Sequence, residues 1–515
     1  MSTLSRRHFL ASAALSAAAL RLHALDNVAN SAVPATLLLP NEAAGPHMPA
    51  DFLGLSYEIQ QLAEPDFFSE KNTGLVEAFR QLSPHGVLRL GGNTSEFGYW
   101  KPTPESPEPV HPQTREVEGE PKAQYYAVTP EAVRNLAGFL RATGWTCLYG
   151  VGMGTNTPER AADEAAFVAK TLGRGLQYFQ LGNEVDLFDR HLRDPKTWSP
   201  EAYLKEWLPL ARAIVARVPD ARFGLPDVAG YVDWLTAIAA QWPSIENPPH
   251  VTTLSHHYYF NGPATNPAVN IPNLLKAETM VKVQHMADVS TAAAAKMSVR
   301  VRMTEGNTCY RGGKPGVSDV FAAALWSADY SLRLASNNYS GINLHGGTGK
   351  SVANSVGGVL PGDTMLKAQG LSEEQIQTHP HPFYTPIGTF ADRYELQPVG
   401  YGLQFAARLS GGTLLKADLT SPLQAAGVNA TAYAARFANG GTSLIVINKD
   451  LEKDLELTVD FGAGKHGKVM VEAMTAAAPD SRTVRLTEEK PLPLKAGKAQ
   501  VKIARASALR LTVRG

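Results

Sequence analysis

Between Asp51 and about Leu409, short apolar runs alternate with longer stretches whose apolar residues recur at helical spacing. That alternation predicts a parallel α/β domain. Runs at 52–58, 87–90, 145–149, 176–181, 222–225, 251–256, 299–304 and 341–345 read as buried strands, and eight is the number that closes a (β/α)₈ TIM barrel. Thr129, Thr157 and Ser199 each precede a Pro-Glu pair, which places a hydroxyl at the helix N-cap and Pro at the first helical position. The stretch 318–335 is apolar at helical spacing and follows the seventh strand, so its Trp and Phe residues read as core. Segments 102–122 and 346–386 read as long loops at the mouth where the strands end, a length uncommon without a function.

Past about Gly411 the period changes. Runs at 430–437, 442–448, 455–461, 469–473, 483–486, 499–503 and 508–513 alternate apolar and polar residues, with a hairpin turn at 438–441. They predict a C-terminal antiparallel β-sandwich domain, to which the early run 35–39 adds a strand. The expected organisation is a targeting segment at 1–24, an N-terminal piece of the sandwich at 25–48, the catalytic barrel at 49–409 and the sandwich at 410–515.

The targeting segment rests on Arg6 and Arg7, followed by Phe9, Leu10 and an Ala-rich run to Leu20. This is a twin-arginine export pattern. The run is too short to span a bilayer, so the mature chain is expected to be periplasmic or secreted, without a membrane anchor. The 48 basic and 48 acidic residues balance to a formal charge of zero, which argues against nucleic acid, an anionic membrane surface or a long polyanion as the main partner. The two cysteines, Cys147 and Cys309, sit in or beside inner strands and read as unpaired.

Two of the strand runs stop at a carboxylate. The fourth leads into Asn183-Glu184 and the seventh into Glu305, and the separation of 305 − 184 = 121 residues leaves room for about three strand–helix units. A strand that ends in Glu presents it at the C-terminal mouth, where such barrels do their chemistry. Two carboxylates on different strands suit glycoside hydrolysis. One must be a protonated acid/base with a raised pKa, the other an ionised nucleophile ~5 Å away in a retaining enzyme. Either Glu alone could be a solvated strand-end carboxylate; their joint placement favours the catalytic reading. The Asn183 amide can bond a sugar 2-hydroxyl, an interaction that strengthens in the transition state.

His256, His257, Tyr258 and Tyr259 end the sixth strand. Period two puts His256 and Tyr258 on one face. With that face inward, Tyr258 holds the nucleophile, His256 contacts the acid/base region and His257 is structural. No metal site is expected, because adjacent strand residues diverge and no third ligand follows at suitable spacing. Arg89, on the buried second strand, needs a carboxylate partner and is expected to orient a catalytic Glu. Glu58 and Glu96 either bind sugar hydroxyls or form surface ion pairs.

Taken together, these segments resemble glycoside hydrolase family 79, which contains heparanase and bacterial β-glucuronidases. They are Leu-Arg-Leu-Gly-Gly-Asn at 88–93, Leu-Gly-Asn-Glu at 181–184 and His-His-Tyr-Tyr-Phe-Asn-Gly at 256–262, then Glu-Gly-Asn-Thr-Cys-Tyr-Arg-Gly-Gly at 305–313 and Ser-Asp-Val-Phe-Ala-Ala-Ala-Leu-Trp at 318–326. The resemblance implies Glu184 as acid/base, Glu305 as nucleophile, and a carbohydrate substrate with β-linked glucuronic acid. It implies that Tyr310, the Gly312 N–H and a later tyrosine hold the uronate, and Tyr384 is the candidate for the last. Tyrosines and an amide avoid the strong cation that would stabilise the substrate's charge equally in ground and transition states. No cofactor is expected, and the chain is expected to be a monomer. Arg311 departs from the pattern, standing where heparanase has Gly. The leading reading is a retaining exo-β-glucuronidase. The alternatives are a heparanase-like endo-β-glucuronidase, a non-catalytic sugar-binding barrel, and a barrel glycosidase for a neutral sugar. Neutral net charge and long loops favour the first.

Overall fold

A computed structural model describes residues 32–40, 44–462 and 467–514. The export pattern at 1–24 and the following residues to 31 lie outside the described residues. Eight parallel strands close a barrel: β1 (Leu53–Glu58), β2 (Val87–Gly91), β3 (Thr146–Val151), β4 (Leu176–Leu181), β5 (Phe223–Val228), β6 (Val251–Tyr259), β7 (Arg300–Asn307) and β8 (Gly341–His345). Each pairs with its neighbour in sequence, and β8 returns to β1.

The capping signals act as expected. Thr129, Thr157 and Ser199 accept N–H bonds from Ala132, Arg160 and Ala202 and start the helices Pro130–Thr143, Pro158–Leu172 and Pro200–Arg217. Such caps are worth ~1 kcal/mol each. The apolar stretch after β7 forms the helix Phe321–Ser336, nearly all of it buried.

Val87, Leu148 and Tyr178 make a small apolar layer inside the barrel. Toward the strand C-terminal ends the interior turns polar, with Arg89, Gln180, Asp227, Ser255, His257 and Thr304 all buried. This is why β5, β6 and β7 run beyond the ends that the apolar pattern suggests. In these extensions Asp227, His257, Tyr259 and Glu305 are polar yet inward, and they pair with one another instead of water.

Segment 102–122 contains no helix or strand, whereas 346–386 is more than a loop. It carries three short helices, Gly349–Ser355, Pro361–Ala368 and Glu373–Ile376.

The C-terminal part packs a six-stranded sheet on a three-stranded one around a second apolar core. The strand Val33–Leu38 joins the smaller sheet as expected, but it runs parallel to Leu455–Asp460, so the sandwich is not wholly antiparallel. It is fastened to the barrel by a buried ion pair between Lys449 and Asp329, and Tyr433 donates to the same carboxylate at 2.6 Å. Cys147 and Cys309 are both buried and free.

Candidate active site

Glu184 and Glu305 meet at the C-terminal mouth. Past β4 the chain turns through Gly182, whose φ of 82° and closeness to Val185, 2.7 Å from a would-be Cβ, exclude any side chain. Glu184 itself is left-handed at φ 47°, ψ 48°, and its N–H donates to the Asp227 carbonyl at 2.8 Å. Non-glycine residues in that region cost of order 1 kcal/mol or more and cluster at functional sites. On β7 the pairing with β6 slips between Met303 and Glu305. This bulge aims Glu305 into the mouth, while Thr304 donates to Asp227. Oxygen atoms of Glu184 and Glu305 approach within 4.8 Å.

Arg89 is the hub. Its guanidinium donates to Glu305 Oε2 at 2.6 Å, Asn183 Oδ1 at 2.6 Å, Ser56 Oγ at 3.0 Å and Gln180 Oε1 at 3.3 Å, and it is ion-paired to Asp227. Tyr259 donates to the other oxygen of Glu305 at 2.8 Å, and His345 lies 3.6 Å away. His257 bridges the two halves of the site, with Nδ1 3.0 Å from Glu184 Oε1 and Nε2 3.2 Å from Asp227 Oδ1.

These contacts push the two carboxyls apart. Burial raises Glu184 above its ordinary value, and the adjacent His257 only partly opposes it. Burial would raise Glu305 as well, but the charges of His345, His257 and Arg89 outweigh it and hold this carboxyl down at about 2. Burial alone would lower His257; Asp227 and Glu305 raise it to about 10, so the ring is an imidazolium at neutral pH. A metal ion at Glu184, His257 and Glu305 would have to displace that proton, and both ring nitrogens already face carboxylates. The arrangement suits proton transfer and nucleophilic attack.

The expected inward face of β6 is corrected. His257 and Tyr259 point to the carboxylates, while His256 faces outward to the Tyr339 hydroxyl at 2.9 Å. Burial lowers His256 to about 4 and keeps it neutral. Tyr258 packs on Phe260 and Tyr330 and only borders the mouth. Lateral pairing sets this parity: Thr253, Ser255, His257 and Tyr259 share one face, and Ser255 already meets Gln180 inside the barrel.

Glu96 is also corrected. Its carboxylate accepts backbone N–H bonds from Met153, Gly154 and Asn183, so it anchors the loop under Glu184 without lining the cavity. Asn183 likewise spends its oxygen on Arg89 and Gly92 and donates to Asn93 at 2.8 Å; Asn93, not Asn183, faces the cavity. Glu58 does border the cavity, held by Thr94 and 3.4 Å from His345, which rules out a surface ion pair.

The mouth encloses about 440 Å³, with Tyr310, Arg311 and Tyr384 on its wall. Tyr384 is buried, its ring 6.1 Å from that of Tyr259. Gly312 turns just behind the wall, its carbonyl accepting the Phe383 N–H at 2.8 Å. The tip of segment 102–122 closes one side. Gly119 lies under the Arg311 guanidinium, where any Cβ would collide; Gly357 packs against it, and Glu120 pairs with Arg190 at 3.1 Å.

Asp227, Tyr259 and His345 are the residues that sequence reasoning missed, and His257, expected to be structural, bridges Glu184 and Asp227. Asp227 and His345 are polar residues at strand ends, the same signal that found Glu184 and Glu305.

No protein-family model matches this chain. It is 25% identical over 345 residues to a β-glucuronidase of Aspergillus niger, 62% of each chain, and 26% identical over 329 residues to a β-glucuronidase of Neurospora crassa, 57% of each. The alignments thus span less than two thirds of these relatives. Among solved structures, a 4-O-α-L-rhamnosyl-β-D-glucuronidase from Fusarium oxysporum superposes with a TM-score of 0.68 at 17% identity, covering 94% of this chain and 99% of that one. A family 51 arabinofuranosidase from Xanthomonas axonopodis gives 0.63 at 14% identity, covering 94% and 100%. The fold is that of TIM-barrel glycoside hydrolases with an attached sheet domain.

Proposed function

We propose that this chain is a glycoside hydrolase of family 79 that removes terminal β-linked glucuronic acid by double displacement, with retention of configuration. One observation carries it: Glu184 and Glu305 approach within 4.8 Å, one biased to keep its proton and the other held ionised. An inverting enzyme needs ~6.5–9.5 Å between carboxyls to seat a water. Glu305 attacks the anomeric carbon while Glu184 protonates the departing oxygen. Glu184, now a carboxylate beside the His257 imidazolium, then draws a proton from the water that releases the sugar.

Similarity to the two β-glucuronidases supports the uronate, as do Tyr310 and Tyr384 on the cavity wall. The wall built by Gly119, Arg311 and Gly357 supports exo action, since an endo-acting enzyme needs a cleft open at both ends. Export by the twin-arginine pattern at 1–24 is part of the proposal; mass spectrometry of a periplasmic fraction tests it.

Kinetics on aryl β-glycosides test the function. β-Glucuronides should be preferred over β-glucosides by ~10⁴ in kcat/KM, because a site built for a charged group leaves its partners unpaired otherwise. Tyr310→Phe should narrow that preference by about one to two decades, from the loss of one hydrogen bond to a charge worth ~1.5–3 kcal/mol. In Glu305→Ala, azide should restore turnover and yield a glycosyl azide of inverted configuration. Equal rates on both glycosides would overturn the substrate, and an active Glu305→Ala enzyme the mechanism.

A further inference from the structure

A second cavity, of about 680 Å³, opens at the opposite end of the barrel. It is framed by residues that precede or begin the strands, among them Asp51, Thr146, Gln177, Thr253 and Ser340. Four arginines line it, Arg174, Arg222, Arg300 and Arg302, against the single carboxylate of Asp51. One Asp51 oxygen already accepts the Gln177 amide at 2.9 Å. None of the four guanidinium groups forms an ion pair within 4.0 Å among the described residues.

Arg302 is the telling member. It is 2% exposed, and its donors meet only neutral acceptors: Asn343 Oδ1 at 2.6 Å, the Ser340 carbonyl at 3.3 Å and the Phe52 carbonyl at 3.4 Å. The hydroxyl of Tyr178, a residue 5% exposed on the same cavity, has only the Thr253 hydroxyl near it and no well-aligned hydrogen bond. A buried cation without a counter-charge is costly. A cleft lined by one sign of charge also focuses its field and concentrates ions of the other sign. Guanidinium forks match the oxygens of phosphate or sulfate in bidentate fashion.

We propose that this cavity binds a small molecule carrying two or more phosphate or sulfate groups, at a site separate from the catalytic mouth. The space exceeds what one tetrahedral ion fills, and the three exposed arginines at the rim can meet a second charged group while Arg302 meets the first. The proposal is independent of the glycosidase reading.

Isothermal titration of the full chain at constant ionic strength in chloride tests it, with inorganic phosphate, sulfate and pyrophosphate as probes. Saturable one-to-one binding is expected, about tenfold tighter or more for pyrophosphate than for phosphate. The double variant Arg222→Ser/Arg300→Ser, altered only at exposed positions, should weaken pyrophosphate binding by about tenfold or more and leave hydrolysis of an aryl glycoside unchanged. Arg302→Met should weaken it further; if that variant does not fold, the double variant still decides. A phosphate-over-sulfate preference, or its reverse, supports the site and names the group. Absence of saturable binding, full binding by the double variant, or displacement of the anion by glucuronate would overturn the proposal.

Discussion

The barrel buries an arginine near each end, and the two are treated in opposite ways. Arg89, 1% exposed, faces the carboxylates of Asp227 and Glu305. Arg302, 2% exposed, faces an amide oxygen and two carbonyls. Burial therefore says little about what a charged side chain does; its partners say more. At the mouth the cations Arg89 and His257 face the anions Asp227 and Glu305, while burial biases Glu184 towards its protonated form. Burial on one side and cations on the other bias one carboxyl towards keeping a proton while its neighbour stays ionised. At the base Asp51 alone stands against four arginines, and the surplus charge is available to a ligand.

Replacing each arginine by methionine is the sharpest way to break this contrast. Arg89→Met leaves two buried carboxylates without the guanidinium they share, so stability should fall by about 3–5 kcal/mol, and kcat by about two orders of magnitude or more as Glu305 loses a fixed donor. Chemical denaturation and steady-state kinetics read both. An Arg89→Met enzyme of ordinary stability would show that the mouth is not held by this network.

A pH profile probes the bias itself. His257 lowers the pKa of both Glu184 and Glu305. In His257→Gln both limbs of the kcat/KM profile on an aryl glycoside should therefore move to higher pH, the acid limb following Glu305 and the alkaline limb Glu184. A shift of either limb to lower pH would contradict the assignment of the imidazolium. Folding is linked to the same proton. His257 is raised from 6.5 to about 10, so its contribution to stability is full below about 6.5 and is lost as the pH rises through about 10.

The smallest effect is expected at the base. Arg302→Met removes a buried charge that has no carboxylate partner and replaces it with an apolar side chain of similar length. Stability should change by no more than about 1 kcal/mol, with turnover untouched. A loss as large as that of Arg89→Met would erase the difference between the two ends.

Much of this molecule is legible along the chain. Strand-length apolar runs, Pro after a hydroxyl at three helix starts, and a Glu closing each of two strands are local signals. They were enough to find the barrel, the sheet domain and the pair Glu184 and Glu305. Arg89 was legible too, because a buried arginine demands a carboxylate. The polar set around the two carboxylates, His257, Tyr259 and Asp227, was not. Whether His256 or His257 faces inward depends on the register of β6 against β5 and β7, and a shift of one residue exchanges the faces. Asp227 lies beyond Pro226, where the apolar run stops but the strand continues on hydrogen bonds to β6. Glu96 and Asn183 carry the right chemistry, yet neighbouring backbone N–H groups and Arg89 consume it. Local sequence thus determined the elements and the residue types at their ends. Tertiary structure alone decided which side chains face each other across the mouth, and so which carboxyl keeps its proton, because field and hydrogen bonding at a buried site are set by partners on other strands.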